Sequence, residues 1–293
     1  MEVVPSDLTP KWHAATGKLL CTGHNVRYTG DRGPMRVYNR ETVYSVYDPA
    51  TRNLSSWRTL AMPDAPRFKN AGAGCTQRFD LAGGDILLPL YFKHPEQRQY
   101  SATVVRCGFD GGTLTYLEHG DELTIPVQEG FTEPSLTRFG DRFYLTLRNE
   151  AHGHVTSGPD GMHFDKPKKW RFDDGSELGN YSTQQHWVTH SDGLFLVYNR
   201  RGANNDHIFR HRAPLFMARV DPEKLCVMRA TERVLLPERG ACMGNFGVTD
   251  VGPDETWVTV AECADTGNVK NHGSDNSAFV VKIKWNGPTQ LVK

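Results

Sequence analysis

The chain has 293 residues, of which 38% are hydrophobic, 23% charged and 10% aromatic, the composition of an ordinary folded protein. Lys plus Arg number 34 and Asp plus Glu number 34, so the formal charge is zero. A polyanion binder carries a basic excess, so nucleic acid and acidic membrane surfaces are not expected partners. Apolar runs are short, as at Ile86 to Leu88, so no membrane span is expected. Met1 to Pro10 has neither a basic region nor an apolar stretch, which reads as cytoplasmic. A secreted or periplasmic chain without its export signal would read the same. No cysteine falls in a C-x-x-C pair, so zinc-ribbon and thioredoxin-like patterns are absent and reduced thiols are expected.

One pattern recurs along the chain: a short strand, a tight Gly or Asp turn, and a second apolar strand. It begins at Trp12 to Cys21 and returns at Cys75 to Pro89, Glu133 to Arg148, His186 to Tyr198 and Asn245 to Val260. The turns fall at Gly17, Gly84, Gly140, Gly193 and Asp254, a spacing of roughly 50 to 65 residues. After each hairpin comes a third strand candidate, at Thr42–Tyr47, Ser101–Phe109, His154–Thr156, Leu215–Val220 and Ala278–Ile283. A fourth often follows, as at Trp57–Leu60, Leu114–Leu117 and Val227–Arg229. Alternating and β-branched apolar residues favour strands throughout.

Four-stranded units repeated five times predict an all-β chain, a β-propeller of antiparallel blades. An irregular β-sandwich is the alternative, but it does not call for the same hairpin five times. The expected organisation is one propeller domain over residues 1–293, of five blades, or six if a leading blade is missing. Ser157 to Phe164 resembles a degraded Asp-box turn, a structural feature.

A hairpin sets the start of its first strand beside the end of its second. In a propeller these edges face one mouth of the channel, so the hairpin ends of every module should meet there. They include Trp12, His13, His24, Arg27, Cys75, Tyr91 and Lys93 in the first two modules. Later modules add Glu133, Arg148, Glu150, Gln184, Gln185, His186, Tyr198, Asn199, Arg200, Arg201, Asn245 and Glu262. Each also has a plainer explanation. Glu133 and Arg148 suit a cross-strand ion pair, His186 a hydrogen-bonded core histidine, and Arg200 to Arg212 a solvated basic loop. The spacing of His207 and His211 suits a metal pair on a helix. No helical pattern or third ligand accompanies it, so no metal and no cofactor is expected.

The layout from Glu133 through the turn to Arg148 resembles the sialidase superfamily of propellers. Arg212 to Asp221 resembles that family's next arginine module, and Glu262 resembles the Glu of its last. Asp31 stands where the family carries an acid/base Asp. The family's Tyr position falls in Cys242 to Gly247, which holds no Tyr. The resemblance implies a glycoside hydrolase acting on an anionic or deoxy sugar. Glu133, Glu262, Asp31 and His186 are then the catalytic candidates, and Arg148, Arg212, Arg200, Tyr198, Gln185 and Asn245 the substrate-binding ones. The expected partner is a carbohydrate, an acidic glycan. Two alternatives stand. A polysaccharide lyase or His-dependent glycosidase would use His186, Tyr198, Arg200 and His211, and a non-catalytic propeller would bind carbohydrate or protein.

Overall fold

The computed structural model describes residues 2–28, 39–263 and 272–291. The chain is a β-propeller of five antiparallel blades, built in chain order from twenty-two strands. The first sheet holds β1 (Glu2–His13), β2 (Lys18–Tyr28), β3 (Thr42–Asp48), β4 (Asn53–Leu54) and β5 (Arg58–Thr59). The second holds β6 (Ala71–Gly72), β7 (Phe79–Asp80), β8 (Ile86–Phe92), β9 (Ser101–Phe109) and β10 (Leu114–His119). The third runs in the order β11 (Thr132–Phe139), β12 (Arg142–Arg148), β13 (His154–Gly158) and β14 (Lys168–Lys169). The fourth holds β15 (His186–His190), β16 (Gly193–Tyr198), β17 (Leu215–Asp221), β18 (Cys226–Val227) and β19 (Arg233–Leu236). The fifth runs β20 (Gly247–Gly252), β21 (Glu255–Ala261) and β22 (Ala278–Lys284).

All five expected hairpins and their third strands are present, most within a residue or two of the expected bounds. The first hairpin is the exception. It begins not at Trp12 but at Glu2, and pairs Glu2 with Tyr28 through to His13 with Lys18. Its register breaks between Ser6 and Thr9, so Asp7 and Leu8 form a bulge. Trp12 and His13 therefore sit beside the hairpin turn, away from the strand start. His13 is buried there, its ring nitrogens 2.9 Å from Thr16 Oγ1 and 2.8 Å from the Gly84 carbonyl.

Two compact units divide the chain. One comprises residues 1–136 with 158–164, the other 137–157 with 165–292. The core of the first unit gathers Leu20, Ile86, Leu88, Leu90 and Phe92 with Phe68 and Leu114. β8 is buried along its whole length, which explains its unbroken apolar run Ile86 to Phe92. The same unit holds the Asp-box-like turn, where Asp160 Oδ1 accepts hydrogen bonds from the Met162 and His163 amides at 2.9 and 2.8 Å. The second unit has two clusters. One packs Trp170 and Trp187 with Leu194, Leu196 and Phe216, and Trp170 Nε1 donates to Thr146 Oγ1 at 2.9 Å. The other joins Val188, Val197, Leu215 and Phe246 to Val258 and Val260. Among the described residues no helix is long and apolar enough to cross a membrane.

Leu196 is fully buried in the tryptophan cluster, whereas Leu54 is 57% exposed. Leu196→Ala is expected to lower unfolding free energy by about 2–5 kcal/mol, and Leu54→Ala to leave it nearly unchanged. Chemical denaturation of the two variants checks this; equal losses would contradict the core described.

Candidate functional site

Each of the five modules carries a non-glycine residue in the left-handed backbone region within or just ahead of a hairpin strand. These are Asp7 in β1, Cys75 ahead of β7, Glu133 in β11, Ser182 ahead of β15 and Asn245 ahead of β20, with φ of 51°, 55°, 44°, 55° and 58°. Non-glycine residues rarely adopt such angles, and strained backbone of this kind concentrates at functional sites.

Three of them lie in the first unit, and backbone bonds connect them. The Cys75 amide donates to the Asp7 carbonyl at 3.1 Å. Gln77 and Ser135 form a parallel bridge, with the Leu136 amide donating to the Gln77 carbonyl at 2.8 Å. Cys75 and Glu133 stand two residues further up those same two segments. Their side chains act on a common neighbour. Burial pushes the Tyr91 phenol well above its ordinary range; Arg40 opposes the rise, and Glu133, Cys75 and Asp7 add to it.

Tyr91 Oη lies 3.3 Å from His24 Nδ1, and His24 Nε2 lies 3.6 Å from Asp7 Oδ2. His24 is buried, and burial with the nearby Arg40 lowers its pKa to about 3, so its ring is neutral at physiological pH. Room for this ring comes from the run Ala71-Gly-Ala-Gly-Cys75. A Cβ at Gly74 would lie 2.0 Å from His24 Nδ1, and one at Gly72 2.9 Å from His24 Cβ. The Arg40 guanidinium sits 5.5 Å from the ring centres of both Tyr91 and Tyr100, and Lys93 Nζ 5.5 Å from that of Tyr100. Two carboxyls, a neutral imidazole, a protonated phenol and two cations therefore share this part of the first unit. Such a set can move protons and hold a polar ligand.

Of the expected site residues only Glu133 belongs to this unit among those described; Asp31 lies outside the described residues. The others are in the second unit, many of them bonded to protein partners. Arg148 donates to Glu150 through Nη2 at 2.5 Å and Nε at 3.2 Å, and the arginine field helps hold Glu150 below the ordinary carboxylate range against burial. Arg212 donates through Nε to the Ser182 carbonyl at 3.2 Å. Arg200 grips Glu232 at 2.7 and 2.8 Å, and Tyr198 donates to the same carboxylate at 2.6 Å. Gln185 is buried between Thr183 and Thr146. Glu262 is buried against Arg239 Nε at 3.0 Å and accepts from Ser274 Oγ at 3.0 Å. His186 is buried edge-on to Phe246, and burial lowers its pKa to about 4. Asn245 retains an exposed position at its module's opening.

Asp7, His24, Arg40 and Tyr91 complete the first-unit set. His24 and Tyr91 were legible as hairpin ends. Asp7 was not, because β1 starts ten residues before Trp12. The glycine-rich run before Cys75 was the available signal for close packing at this place.

No family model matches the chain, and no curated protein matches it. Solved structures do match its fold. A sucrose-6-phosphate hydrolase from Lactobacillus gasseri is 12% identical, with 98% of this chain and 61% of that chain aligned at a TM-score of 0.64. A sialidase from Trypanosoma rangeli is 12% identical over 96% of this chain and 44% of its own, with a TM-score of 0.56. A β-xylosidase/α-arabinofuranosidase from a compost microbial metagenome is 9% identical over 97% and 91%, also at 0.56. The chain thus spans under two thirds of the first two. The fold is that of sialidases and other propeller glycoside hydrolases.

Two of the buried imidazoles, His24 and His186, carry a pH signature. Below about pH 6.5 the unfolded chain binds a proton at His24 and at His186 that the folded protein refuses until about pH 3 and 4. Stability therefore falls as the solution is acidified through that window, by roughly 1.4 kcal/mol per pH unit for each fully engaged histidine. His186→Gln is expected to remove one histidine's share of this slope in denaturant unfolding measured from pH 6.5 down to 4.5. Parallel slopes would show that His186 does not titrate as described.

Proposed function

We propose that this protein is a glycoside hydrolase whose reacting carboxyls are Glu133 and Asp7. The observation that carries the reading is that Asp7 and Glu133, each on left-handed backbone, lie on segments joined through the Cys75 segment by backbone bonds, with His24 3.6 Å from Asp7 and 3.3 Å from Tyr91. Glycosidic hydrolysis needs one carboxyl to protonate the leaving oxygen and another to act as base or nucleophile. Asp7 is half-buried, with neutral His24 beside it. The similar structures support the reaction class: they are a sucrose-6-phosphate hydrolase, a sialidase and a β-xylosidase/α-arabinofuranosidase.

The substrate we infer is a glycan with an anionic substituent, for which Arg40 and Lys93 supply the positive charge. Arg148, Arg200 and Arg212 were the expected clamps, but each already serves a protein acceptor. Tyr91 does not replace a sialidase's tyrosine nucleophile. Its raised pKa keeps the phenol protonated, so it acts as a positioning residue through His24.

Elimination is the second reading, favoured by one observation: neutral His24, Tyr91 and Arg40 together are what proton abstraction beside a neutralised carboxylate requires. An ultraviolet-absorbing unsaturated product would mark that route, and binding without turnover would mark a non-catalytic propeller.

Glu133→Gln and Asp7→Asn are each expected to reduce kcat by about 10²–10⁴-fold while leaving the circular dichroism spectrum unchanged. The assay is a panel of acidic and neutral glycosides with product masses read directly. Full turnover in both variants would dismiss the carboxyl pair.

A further inference from the structure

His207 stands four residues before His211, yet the structure gives the two different partners. His211 Nδ1 is 2.5 Å from Tyr181 Oη, and its Nε2 is 3.3 Å from Asp206 Oδ1. His207 turns to Glu238 and His272 instead. Its Nε2 lies 3.4 Å from Glu238 Oε1, and its ring stacks on that of His272 with centroids 4.9 Å apart and planes 23° from parallel. One ligand atom from each of the three lies within 4.8 Å of the other two. The two histidines are exposed and Glu238 is half-buried, so an ion has access from solvent.

We propose that His207, Glu238 and His272 form a binding site for a divalent transition-metal ion of the zinc class. Two imidazoles and one carboxylate are the donors such ions prefer, whereas calcium and magnesium favour all-oxygen shells. The dimensions suit the ion. Bonds of about 2.0–2.1 Å in a tetrahedron place ligand atoms roughly 3.4 Å apart. The His207–Glu238 edge already has that length, and the edges to exposed His272 are no longer than 4.8 Å.

The surroundings hold the donors in place. The Gly240 amide donates to Glu238 Oε2 at 2.8 Å, which fixes the carboxylate and leaves Oε1 toward His207. A Cβ at Gly240 would come within 2.7 Å of His272 Cβ, so the absence of a side chain there makes room for the second imidazole. The neighbouring cation is directed away. Arg239 Nε reaches Glu262 at 3.0 Å and its Nη2 reaches Asp275 at 2.7 Å, so its charge is compensated outside the site. The three ligands come from the loop after β16, the connection after β19 and the approach to β22. A bound ion would therefore staple three distant segments of the second unit, and the folded state would gain stability from it.

The test uses the full chain stripped with a chelator and then titrated with zinc, with cobalt and with calcium. Calorimetry is expected to show one zinc per chain, cobalt to develop the visible absorption of a tetrahedral site, and calcium to give no heat. His207→Ala and His272→Ala should each weaken zinc binding at least about tenfold. Zinc should raise the Tm of the unaltered protein by several degrees but not that of the double variant. Glu133→Gln should bind zinc like the unaltered protein, which separates this test from the fate of the proposed hydrolase activity. Absence of zinc binding at about 100 μM, or full binding by the double variant, would overturn the site. His207→Gln and His272→Gln, which keep a polar surface side chain, repeat the comparison should either alanine variant fold poorly.

Discussion

The site rests on a backbone conformation. Five non-glycine residues with positive φ stand within or just ahead of hairpin strands: Asp7, Cys75, Glu133, Ser182 and Asn245. Glycine would take these angles at less cost, yet none of the five is glycine. Each side chain is polar or nucleophilic, and none has the bulk of a core residue. The left-handed turn aims it off the strand's regular alternation, as the bulge at Asp7 does within β1. The turn at Asp7 is braced by a long hairpin, paired from Glu2 with Tyr28 through to His13 with Lys18.

Taking a guanidinium from water is costly unless acceptors surround it. Arg78 in the first unit shows the structural solution, donating to the Leu20 and Lys11 carbonyls at 2.7 and 2.9 Å while pairing with Asp80 at 2.9 Å. Arg200 in the second does the same with Glu232. Such groups fasten one segment to another. Arg40 and Lys93 lie against aromatic faces as well, and Arg40 Nη1 donates to Tyr100 Oη at 3.3 Å.

The periodic part of this fold was legible in the sequence. Alternating apolar residues with Gly or Asp turns located every hairpin, and the third-strand candidates Thr42, Ser101, His154, Leu215 and Ala278 each begin a strand. The opening of β1 was not legible. Pro5 and Pro10 argue against a strand, and they are accommodated because β1 is a sheet edge that pairs with β2 alone. With β1 hidden, Asp7 was hidden too. The position of Glu133 near a strand head was legible from the Gly140 turn and the apolar strand Phe143 to Leu147 that follow it. Which arginines were already engaged was not legible. Glu232 lies far along the chain from Arg200, and the partner of Arg212 is a backbone carbonyl, which has no signature in sequence.

Substrate charge and the identity of the nucleophile are coupled. A carboxylate attacking a sugar that carries its own carboxylate or phosphate is repelled by it, and a sialidase avoids this with a tyrosine. Tyr91 cannot take that role, since burial and the fields of Glu133 and Asp7 all oppose its ionisation. If the carboxyls react, the repulsion must be met by nearby positive charge. His24 cannot provide it, because burial keeps its imidazole neutral. Arg40 can: its field already acts on both His24 and Tyr91, so it extends across the place where both carboxyls are felt. In the proposed mechanism Arg40, together with Lys93, would compensate an anionic substituent near the carboxyls.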